Sequence, residues 1–365
     1  MRTASRKRVL VTLAALVISL AVVAGAMAGT KAEPWDGAVA ANAKFTKLPS
    51  LLPIKKTSKP IPEGKYIVYI HCGVPACSII ADAIKRAADV LKWKYETIAT
   101  NGTVESVANA WATAVRKKPN AVFSSGYDRA IYEKSLQQLK KMGIGVFNYA
   151  TLDKPGNGIT HMSGDGPAVG IEGTVQAAHI IATLKDKANT VWVDLPSFTI
   201  LQGTGKAFKR DYKKWCPSCP LDVLDLPITA LGKDANDRVV SYLRSHPDVN
   251  WVAYSYDGAS VGLPAALKAA GLDKKVRFSG SSPSSENLGY VLAGQEAAVV
   301  QQPHYELWAS MVDAAARWMT GQPYSKAIPM ERFIVTKANV PSGTKVNPVV
   351  PDLYGKLAVL WGKKK

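Results

Sequence analysis

The stretch "KYIVYIHCGVPACSIIADAIKRAADVLKWKYETIAT" (Lys65–Thr100) decides the fold. Its apolar, β-branched and aromatic start predicts a buried strand, and "KYETIAT" at its end predicts a second strand. Between them, Ile80, Ala83, Ile84 and Ala87 recur at intervals of three and four residues. This spacing places them on one face of an amphipathic helix. A strand, a covering helix and another strand form the unit from which parallel sheets are built.

The same alternation continues along the chain. The strands "NAVFSSG" and "GVFNYA" follow further helices, and the pattern restarts with the strands "NTVWVDLP", "LDVLDLP", "NWVAYSY", "VRFSGS" and "EAAVVQQ". More than 300 residues also exceed what one hydrophobic core holds. We therefore predict an α/β protein of two similar lobes, each with a parallel sheet covered by helices. Polar and aromatic loops follow the strands, which is the sheet edge where such folds bind ligands.

The N-terminus has the pattern of an export signal. Four basic residues in "MRTASRKRVL" precede an uncharged run, Val9–Ala28, that ends in "AMA". We predict a signal peptide over residues 1–28, cleaved after Ala28, and a periplasmic, extracellular or cell-surface location. A retained membrane anchor is the alternative. No cysteine lies near the cleavage site, so a lipoprotein is not expected. Residues 29–63 are rich in Pro, Lys and Ala and predict a linker or loosely packed arm.

The chain is strongly basic, with a net charge of +18. Its basic residues are scattered apart from the terminal "GKKK". Outside the cytoplasm such charge favours contact with an anionic membrane or cell-wall surface over binding to nucleic acid. The alternative interpretation is that the positive charge only keeps the protein soluble, and both interpretations stay open.

Four cysteines lie in two close pairs, Cys72 with Cys77 and Cys216 with Cys219. Disulfides persist in exported proteins, so we predict two local bridges. Cross-pairing and free thiols are the alternatives. "CPSC" has the spacing of a redox motif, but it follows a helix instead of starting one, where the helix dipole would lower the thiol pKa.

Motifs for catalysis or metal binding are missing from the sequence. The five histidines form no HExxH pair, "GTGKAF" lacks the first glycine and the hydroxyl of a phosphate loop, and GxSxG does not occur. We predict no metal, no cofactor and no catalytic residue. Aromatic side chains at strand ends suit a binding cleft, although core packing explains them equally well. These side chains are Tyr127, Tyr149, Phe198, Tyr254 and Tyr256.

From roughly residue 65 to 340 the chain resembles the ribose-binding-protein-like (type I) periplasmic solute-binding proteins of ABC importers. The stretches that carry the resemblance include "KKPNAVFSSGYD", "ITHMSGDGPAVGIEG", "YDGASVGLPAALKAAGL" and "LAGQEAAVVQQPHYELWASMVDAAARWMTGQ". The resemblance implies two Rossmann-like lobes with parallel sheets, joined by a three-crossover hinge. The crossings would fall near Gly164–Asp165, Gln301–Gln302 and Met330–Arg332. The N-terminal lobe would comprise residues 64–163 and 302–330, and the C-terminal lobe residues 164–301 and 331–365.

The resemblance also implies a ligand site in the cleft between the lobes. With the strand-end residues Tyr149 and Phe198 added, the predicted contacts are Val74, Ala76, Cys77, Ser125, Tyr127, Asp128, Tyr149, Thr151, Phe198, Gln202, Thr204, Tyr256, Asp257, Ser282 and Gln301. Several positions depart from sugar-binding relatives. Ala150 and Thr151 replace an Asp-Arg pair, Thr204 an Arg, and Ser282 an Asp. Because charged, forked groups grip vicinal hydroxyls most strongly, a less hydroxylated neutral ligand is favoured, either sugar-like or cyclic and aromatic.

The implied function is the binding component of an importer, which captures a small molecule and delivers it to permease and ATPase subunits. A receptor presented to a membrane sensor is the alternative, and an exported enzyme is less favoured. A related repressor would need a DNA-binding helix-turn-helix where this chain has a signal-like segment. In this setting a Cys72–Cys77 bridge would stiffen one wall of the cleft.

Overall fold

Two separate β-sheets organise the chain in the computed structural model, which describes residues 32–48, 52–329, 331–341 and 346–363. The first sheet has five parallel strands in the order β2-β1-β3-β4-β5, and the second has six in the order β11-β10-β9-β8-β6-β7. The strands are β1 Tyr66–Ile70, β2 Lys94–Ile98, β3 Ala121–Ser125, β4 Gly145–Tyr149, β5 His161–Ser163, β6 Thr190–Asp194, β7 Leu221–Asp225, β8 Trp251–Tyr254, β9 Arg277–Ser281, β10 Ala298–Gln301 and β11 Phe333–Thr336.

Eleven α-helices are present among the described residues. They are α1 Asp36–Phe45, α2 Ala76–Val90, α3 Val104–Lys117, α4 Glu133–Lys141, α5 Gly166–Leu184, α6 Thr199–Trp215, α7 Ala235–Ser245, α8 Leu263–Ala269, α9 Ser285–Ala293, α10 His304–Met319 and α11 Leu353–Leu360. Helices α2, α3, α4 and α10 accompany the first sheet, and α5 to α9 accompany the second.

The predicted α/β class and the parallel sheets of both lobes are confirmed. In α2 the predicted residues Ile80, Ala83, Ile84 and Ala87 are buried, and β1 pairs in parallel with both β2 and β3. When the strands are numbered within each lobe, the first five strands of both sheets lie in the order 2-1-3-4-5. Loops that follow the carboxyl ends of strands in both sheets line one shared cleft.

Two short strands were not expected from periodicity. β5 has three residues and β11 has four, too few to show an alternating pattern. β11 pairs antiparallel with β10, with Gln301 opposite Phe333. It is the one antiparallel pairing between the strands of the described sheets, because the chain returns directly from the first lobe to the edge of the second sheet.

The segment predicted as a loosely packed arm, residues 29–63, contains helix α1. Ala38 is fully buried on the second lobe, in a cluster with Ala177, Ile181 and Trp215. Asn42 Oδ1 accepts a hydrogen bond from His179 Nδ1 at 3.1 Å. Small alanine side chains let α1 approach α5 closely, and this partner more than 120 residues away is invisible in the local pattern.

Residues 52–63 lie on the other lobe. Trp93 Nε1 donates to the carbonyl of Pro62 at 2.7 Å, and Ser58 N donates to Gln322 Oε1 at 2.8 Å. The N-terminal segment thus contacts the second lobe through α1 and the first lobe through residues 52–63.

The C-terminal tail needs a similar correction, because residues 331–365 were all assigned to the second lobe. Only β11 follows that assignment. Helix α11 packs on α2 of the first lobe, and Trp361, almost fully buried, donates its Nε1 to Asp313 Oδ1 at 2.8 Å. Tyr354 donates to the carbonyl of Ala83 at 3.2 Å. Both ends of the described chain therefore bridge the lobes in addition to the expected hinge.

Candidate functional site

A cavity of about 100 Å³ lies between the lobes at the carboxyl ends of the strands. Its lining comes from loops and helix starts of both lobes. The lining residues are Cys72, Val74, Ala76, Ile80, Ser125, Gly126, Tyr149, Ala150, Phe198, Ile200, Leu201, Tyr256, Ser282, Gln302 and His304. No acidic residue, lysine or arginine is among them, which makes the cavity electrically neutral.

The walls of the cavity are mostly apolar. The first lobe contributes Val74 and Ala76 from the loop before α2 and Ile80 from its first turns. The second lobe contributes Ile200 and Leu201 from the first turn of α6. Branched aliphatic side chains facing one another across a cleft exclude water and favour an apolar ligand surface.

A few polar groups face the same space. Ser125 Oγ lies 3.0 Å from the hydroxyl of Tyr69. Tyr149 donates its hydroxyl hydrogen to Gln302 Oε1, and Gln302 Nε2 lies 3.4 Å from His304 Nε2. The other ring nitrogen of His304, Nδ1, is buried with no hydrogen-bond partner among the described residues. These groups could orient a ligand by hydrogen bonds without charge.

The titratable groups of the lining are held neutral. Burial, helped by the positive charge of Arg332, lowers the pKa of His304 to about 3. Burial raises the pKa of Tyr149 to about 12 and also raises the pKa of Tyr256. The imidazole and the phenols therefore carry no charge at physiological pH, which matches a neutral ligand.

Two lining residues take a left-handed backbone conformation without being glycine. Ala150 follows β4 in the first lobe with φ 54°, and Ser282 follows β9 in the second lobe with φ 60°. Their backbone N–H groups are held by the carbonyls of Ser163 and Val300, at 3.0 and 2.9 Å. Strained conformations of this kind are concentrated at ligand sites, and here one occurs at an equivalent strand end in each lobe.

The loop after β1 forms one wall and is closed by a disulfide. Cys72 and Cys77 are bonded, with their Cα atoms 5.8 Å apart. Gly73 has φ 86°, and a Cβ there would lie 2.3 Å from the backbone nitrogen of Gly102. The second disulfide, Cys216–Cys219, lies beyond the C-terminal end of α6 and not in the cavity lining.

The hinge contains a buried ion pair. Arg332, in the last of the three expected crossings, donates Nε to Glu172 Oε1 of α5 at 2.8 Å, and both side chains are almost fully buried. Arg332 also lies 3.4 Å from the hydroxyl of Tyr149. Burial raises the pKa of Glu172, and the guanidinium only partly offsets that rise. Met330, named for the same crossing, lies outside the described residues.

Contacts between described residues of the two lobes cross the cleft. Thr199 Oγ1 of α6 donates to the carboxylate of Asp128. The rings of Tyr127 and Phe198 lie 5.6 Å apart. The Tyr256 hydroxyl accepts a 3.4 Å hydrogen bond from the backbone nitrogen of Ala76. The lobes are therefore closed over the cavity.

The structure brings together part of the predicted site. Seven predicted residues line the cavity, namely Val74, Ala76, Ser125, Tyr149, Phe198, Tyr256 and Ser282. Tyr127 and Asp128 lie at the rim, where they meet the second lobe. Cys77 is buried behind the wall that its disulfide closes.

The remaining predicted residues point elsewhere. Thr151 hydrogen-bonds within its own lobe to Asp153, at 3.3 Å. Gln202 donates to Asp194 at 3.0 Å, and the Thr204 hydroxyl is packed against the carbonyl of Val169 at 3.4 Å. Gln301 ends β10, and the alternation of strand side chains puts its neighbour Gln302 in the cavity instead.

Asp257 is the clearest departure from the predicted contacts. It starts the 3₁₀ turn Asp257–Ser260, is fully buried, and faces Glu296 and Asn287 inside the second lobe. Burial raises the pKa of Asp257 to about 7, and burial together with the neighbouring Asp257 carboxyl raises the pKa of Glu296 well above its usual value. The pair shares a proton in the core and does not reach the ligand cavity.

Sequence reasoning missed Ile80, Ile200, Leu201, Gln302 and His304. The three aliphatic residues are on helix faces whose periodicity indicates core packing. Gln302 and His304 follow β10 directly, so the strand-end rule that selected the other loops applies to them as well.

No group of three or more His, Cys, Asp or Glu residues could hold a metal ion in the described part of the chain. No helix within the described ranges is long and apolar enough to cross a membrane. Residues 1–28, the predicted signal peptide, lie outside those ranges.

A sequence model of the family described as the periplasmic binding protein domain matches residues 75–323. No curated protein is significantly similar to the chain. Among solved structures, a glucose-galactose binding protein from Geobacillus stearothermophilus has a TM-score of 0.66 at 18% identity, covering 76% of this chain and 99% of its own.

Two further structures share the fold. A solute-binding protein from Agrobacterium vitis, bound with α-D-tagatopyranose, has a TM-score of 0.67 at 17% identity and covers 77% of this chain and 97% of its own. A 5-methylthioribose transporter solute-binding protein from Thermotoga lettingae has a TM-score of 0.68 at 15% identity, covering 82% and 99%. At these identities the similarity establishes the fold.

Proposed function

Because this chain belongs to the periplasmic binding protein domain family, we propose that it captures a small, neutral, largely apolar molecule between its lobes. It then delivers this ligand to the permease and ATPase subunits of an ABC importer. The observation that carries the proposal is the cavity at the strand ends of both lobes, lined by aliphatic and aromatic side chains with a few neutral polar groups.

The size and chemistry of the cavity narrow the ligand class. Its volume of about 100 Å³ is below the roughly 150 Å³ that accommodates benzene in a protein core. A larger ligand therefore requires the lobes to open by a hinge motion. Ser125, Gln302 and His304 supply a small number of hydrogen bonds, too few for a molecule with hydroxyls all around its ring.

A sugar derivative with an apolar substituent satisfies the chemical requirement, and its size requires the lobes to open. The Thermotoga lettingae protein is a solute-binding protein in complex with such a compound, 5-methylthioribose. In our proposal the methylthio-like part of a ligand would lie between Ile80 and Ile200, and a polar edge would face Gln302. A cyclic or aromatic compound with one or two hydroxyls fits the same arrangement.

The location of the protein follows from the same role. We infer that residues 1–28 are an export signal, that the mature protein works outside the cytoplasm without a lipid anchor, and that it is a binding protein and not an enzyme.

Presentation of the closed form to a membrane sensor would use the same cleft. Reconstituted transport with a partner permease separates the two roles, because only an importer accumulates the ligand inside vesicles.

A thermal-shift screen tests the ligand class. The panel pairs neutral compounds that differ in apolar character, such as 5-methylthioribose with ribose and benzyl alcohol with glycerol. Selective binding to the folded state raises Tm, and we expect the more apolar member of a pair to raise it more. Ile200→Asp, which puts a charge in the cavity, should abolish the shift.

The matched control is Val223→Asp, at a position that is 44% exposed on β7 of the same lobe. It should leave the ligand-induced shift unchanged. If polyhydroxylated sugars stabilise the protein and their apolar counterparts do not, the proposed ligand class is wrong.

A further inference from the structure

A second concave surface lies at the opposite edge of the first sheet, at the amino ends of its strands. It consists of two adjoining grooves of about 630 and 370 Å³ that share Gly143, Ile144 and Trp318. We call their combined lining the basic groove. Its other residues are Lys65, Lys118, Pro119, Asn120, Lys140, Met142, Pro155, Gly156, Gly158, Ile159, Thr160, Met319, Tyr324 and Lys326.

All charged side chains that line the basic groove are positive. Lys65, Lys118, Lys140 and Lys326 line it, and no Asp or Glu is among its lining residues. None of these four lysines takes part in an ion pair found in the described part of the chain. Nearby Lys117, in contrast, is paired with Glu96 at 2.6 Å. The positive potential of the groove is therefore not neutralised locally.

Helix stabilisation accounts for only part of this pattern. Lysines at the C-terminal ends of helices interact favourably with the helix dipole, which explains Lys140 in the last turn of α4 and Lys118 at the end of α3. Lys65 precedes β1 and Lys326 lies in the loop after α10, so neither gains from a helix end. A ligand with negative charge gives all four lysines a common role.

The floor of the basic groove is aromatic. Trp318 is partly buried and packs edge-on against Phe147, with their ring centroids 6.1 Å apart. Gly145 makes room for it, since a Cβ there would lie 2.7 Å from the indole. The indole lines both grooves together with the lysines, and an indole can stack against a ring while the cations bind acidic groups.

From this combination we propose that the basic groove binds an extended anionic glycan, meaning a chain of sugar or polyol units that carry carboxylate or phosphate groups. A concave groove cannot lie flat against a bilayer, so a polymer strand fits it better than a membrane surface does. The groove and the ligand cavity lie at opposite edges of the first sheet. The protein can therefore be held on such a polymer while its cleft opens and closes.

Binding of the purified full chain to defined probes tests this proposal. The probes are polygalacturonate for carboxylates, poly(glycerol phosphate) for phosphates, dextran as a neutral glycan, phosphatidylglycerol vesicles, and a single-stranded DNA oligonucleotide. We expect binding to one or both anionic glycans and none to dextran. The two anionic arms identify which acidic group is preferred.

Paired charge reversals locate the site. Lys140→Glu with Lys326→Glu should weaken glycan binding by about 10- to 30-fold. The matched control, Lys268→Glu with Lys233→Glu, makes the same change in net charge on the second lobe, again at one helix end and one loop. It should weaken binding less than about threefold through the overall charge alone.

Trp318→Leu tests the aromatic floor, with the ligand-free melting temperature as a check on folding. It should weaken glycan binding while leaving the salt dependence of binding unchanged. The proposal is overturned if both double variants lose affinity equally, since that result indicates diffuse attraction. Binding of vesicles or DNA without either glycan also overturns it.

Discussion

Arg332 Nε lies 2.8 Å from Glu172 Oε1, and both side chains are almost fully buried where the lobes join. Arg332 reaches Tyr149 at 3.4 Å as well, so one guanidinium connects the hinge, helix α5 of the second lobe and the cavity lining. A buried pair of this kind contributes little net stability when intact, but removing one partner leaves an uncompensated charge.

Glu172→Gln should therefore lower the free energy of unfolding by roughly 3–5 kcal/mol. Replacing both partners, as in Glu172→Leu with Arg332→Met, should cost less than Glu172→Gln alone. Urea unfolding of the single and double variants provides the comparison. If Glu172→Gln were as stable as the unmodified protein, the ion pair would not stabilise the hinge as described.

The hydrogen bond from Thr199 to Asp128 holds the closed form across the cleft rim. Thr199→Val removes it without changing the shape of the side chain and should favour the open form. With a net value of roughly 0.5–1.5 kcal/mol for one hydrogen bond, ligand affinity should fall about two- to tenfold. The radius of gyration from solution scattering should also increase.

Thr183→Val is the control for Thr199→Val. Its hydroxyl bonds the carbonyl of His179 within α5, at 2.7 Å and away from the cleft. It should change neither ligand affinity nor the radius of gyration. Equal effects of the two substitutions would show that the rim contact does not govern closure.

The proton shared by Asp257 and Glu296 makes stability depend on pH. Both carboxyls are buried, and burial raises the pKa of Asp257 to about 7 and the pKa of Glu296 well above its usual value. The unfolded chain releases these protons above about pH 4, while the folded state retains them. Stability should therefore fall as pH rises from about 4 through 7.

Glu296→Gln keeps a hydrogen-bond donor beside Asp257 but removes one of the two acids. The variant should lose less stability between pH 5 and pH 8 than the unmodified protein, by roughly 1–3 kcal/mol. Chemical denaturation at the two pH values measures this difference. Glu286→Gln, at an exposed position in the first turn of α9, should keep the original slope. An unchanged slope in Glu296→Gln would contradict the shared proton.

The two disulfides should differ in what they stabilise. Cys72–Cys77 closes a loop that lines the cavity, so Cys72→Ser with Cys77→Ser should weaken ligand binding about three- to tenfold by loosening that wall. Its effect on Tm should be small, because short loops gain little chain entropy from cross-linking. Cys216→Ser with Cys219→Ser, outside the cavity lining, should leave affinity unchanged. Comparable losses of affinity in both variants would count against a role for the first disulfide in the cleft.

The sheets were predictable because their strands and helices carry strong local patterns. The burial of Ile80, Ala83 and Ile84 in α2 follows directly from their spacing. The packing of α1 and α11 was not predictable, since each is stabilised by a distant partner: α5 for the first and α2 for the second. Local patterns carry no information on which lobe receives such a helix.

For the candidate site, the strand-end rule selected loops that line the cavity but not the direction of each side chain. Tyr256 and Asp257 are neighbours after β8, yet the tyrosine faces the cavity and the aspartate faces the core. The backbone turn at this point is held by hydrogen bonds that Asn287 and Ser260 donate to the carbonyl of Asp257. Ile200 was missed for the opposite reason, because an apolar residue on a helix indicates core unless the cleft is known.

The central claim is that the cleft selects its ligand by apolar contact, and paired titration calorimetry tests it most directly. 5-Methylthioribose and ribose differ by one apolar group in place of one hydroxyl. Burying that group is worth about 1.5 kcal/mol, so we predict at least a tenfold lower Kd for the methylthio compound and a more negative heat capacity change. Equal or tighter binding of ribose would contradict the account.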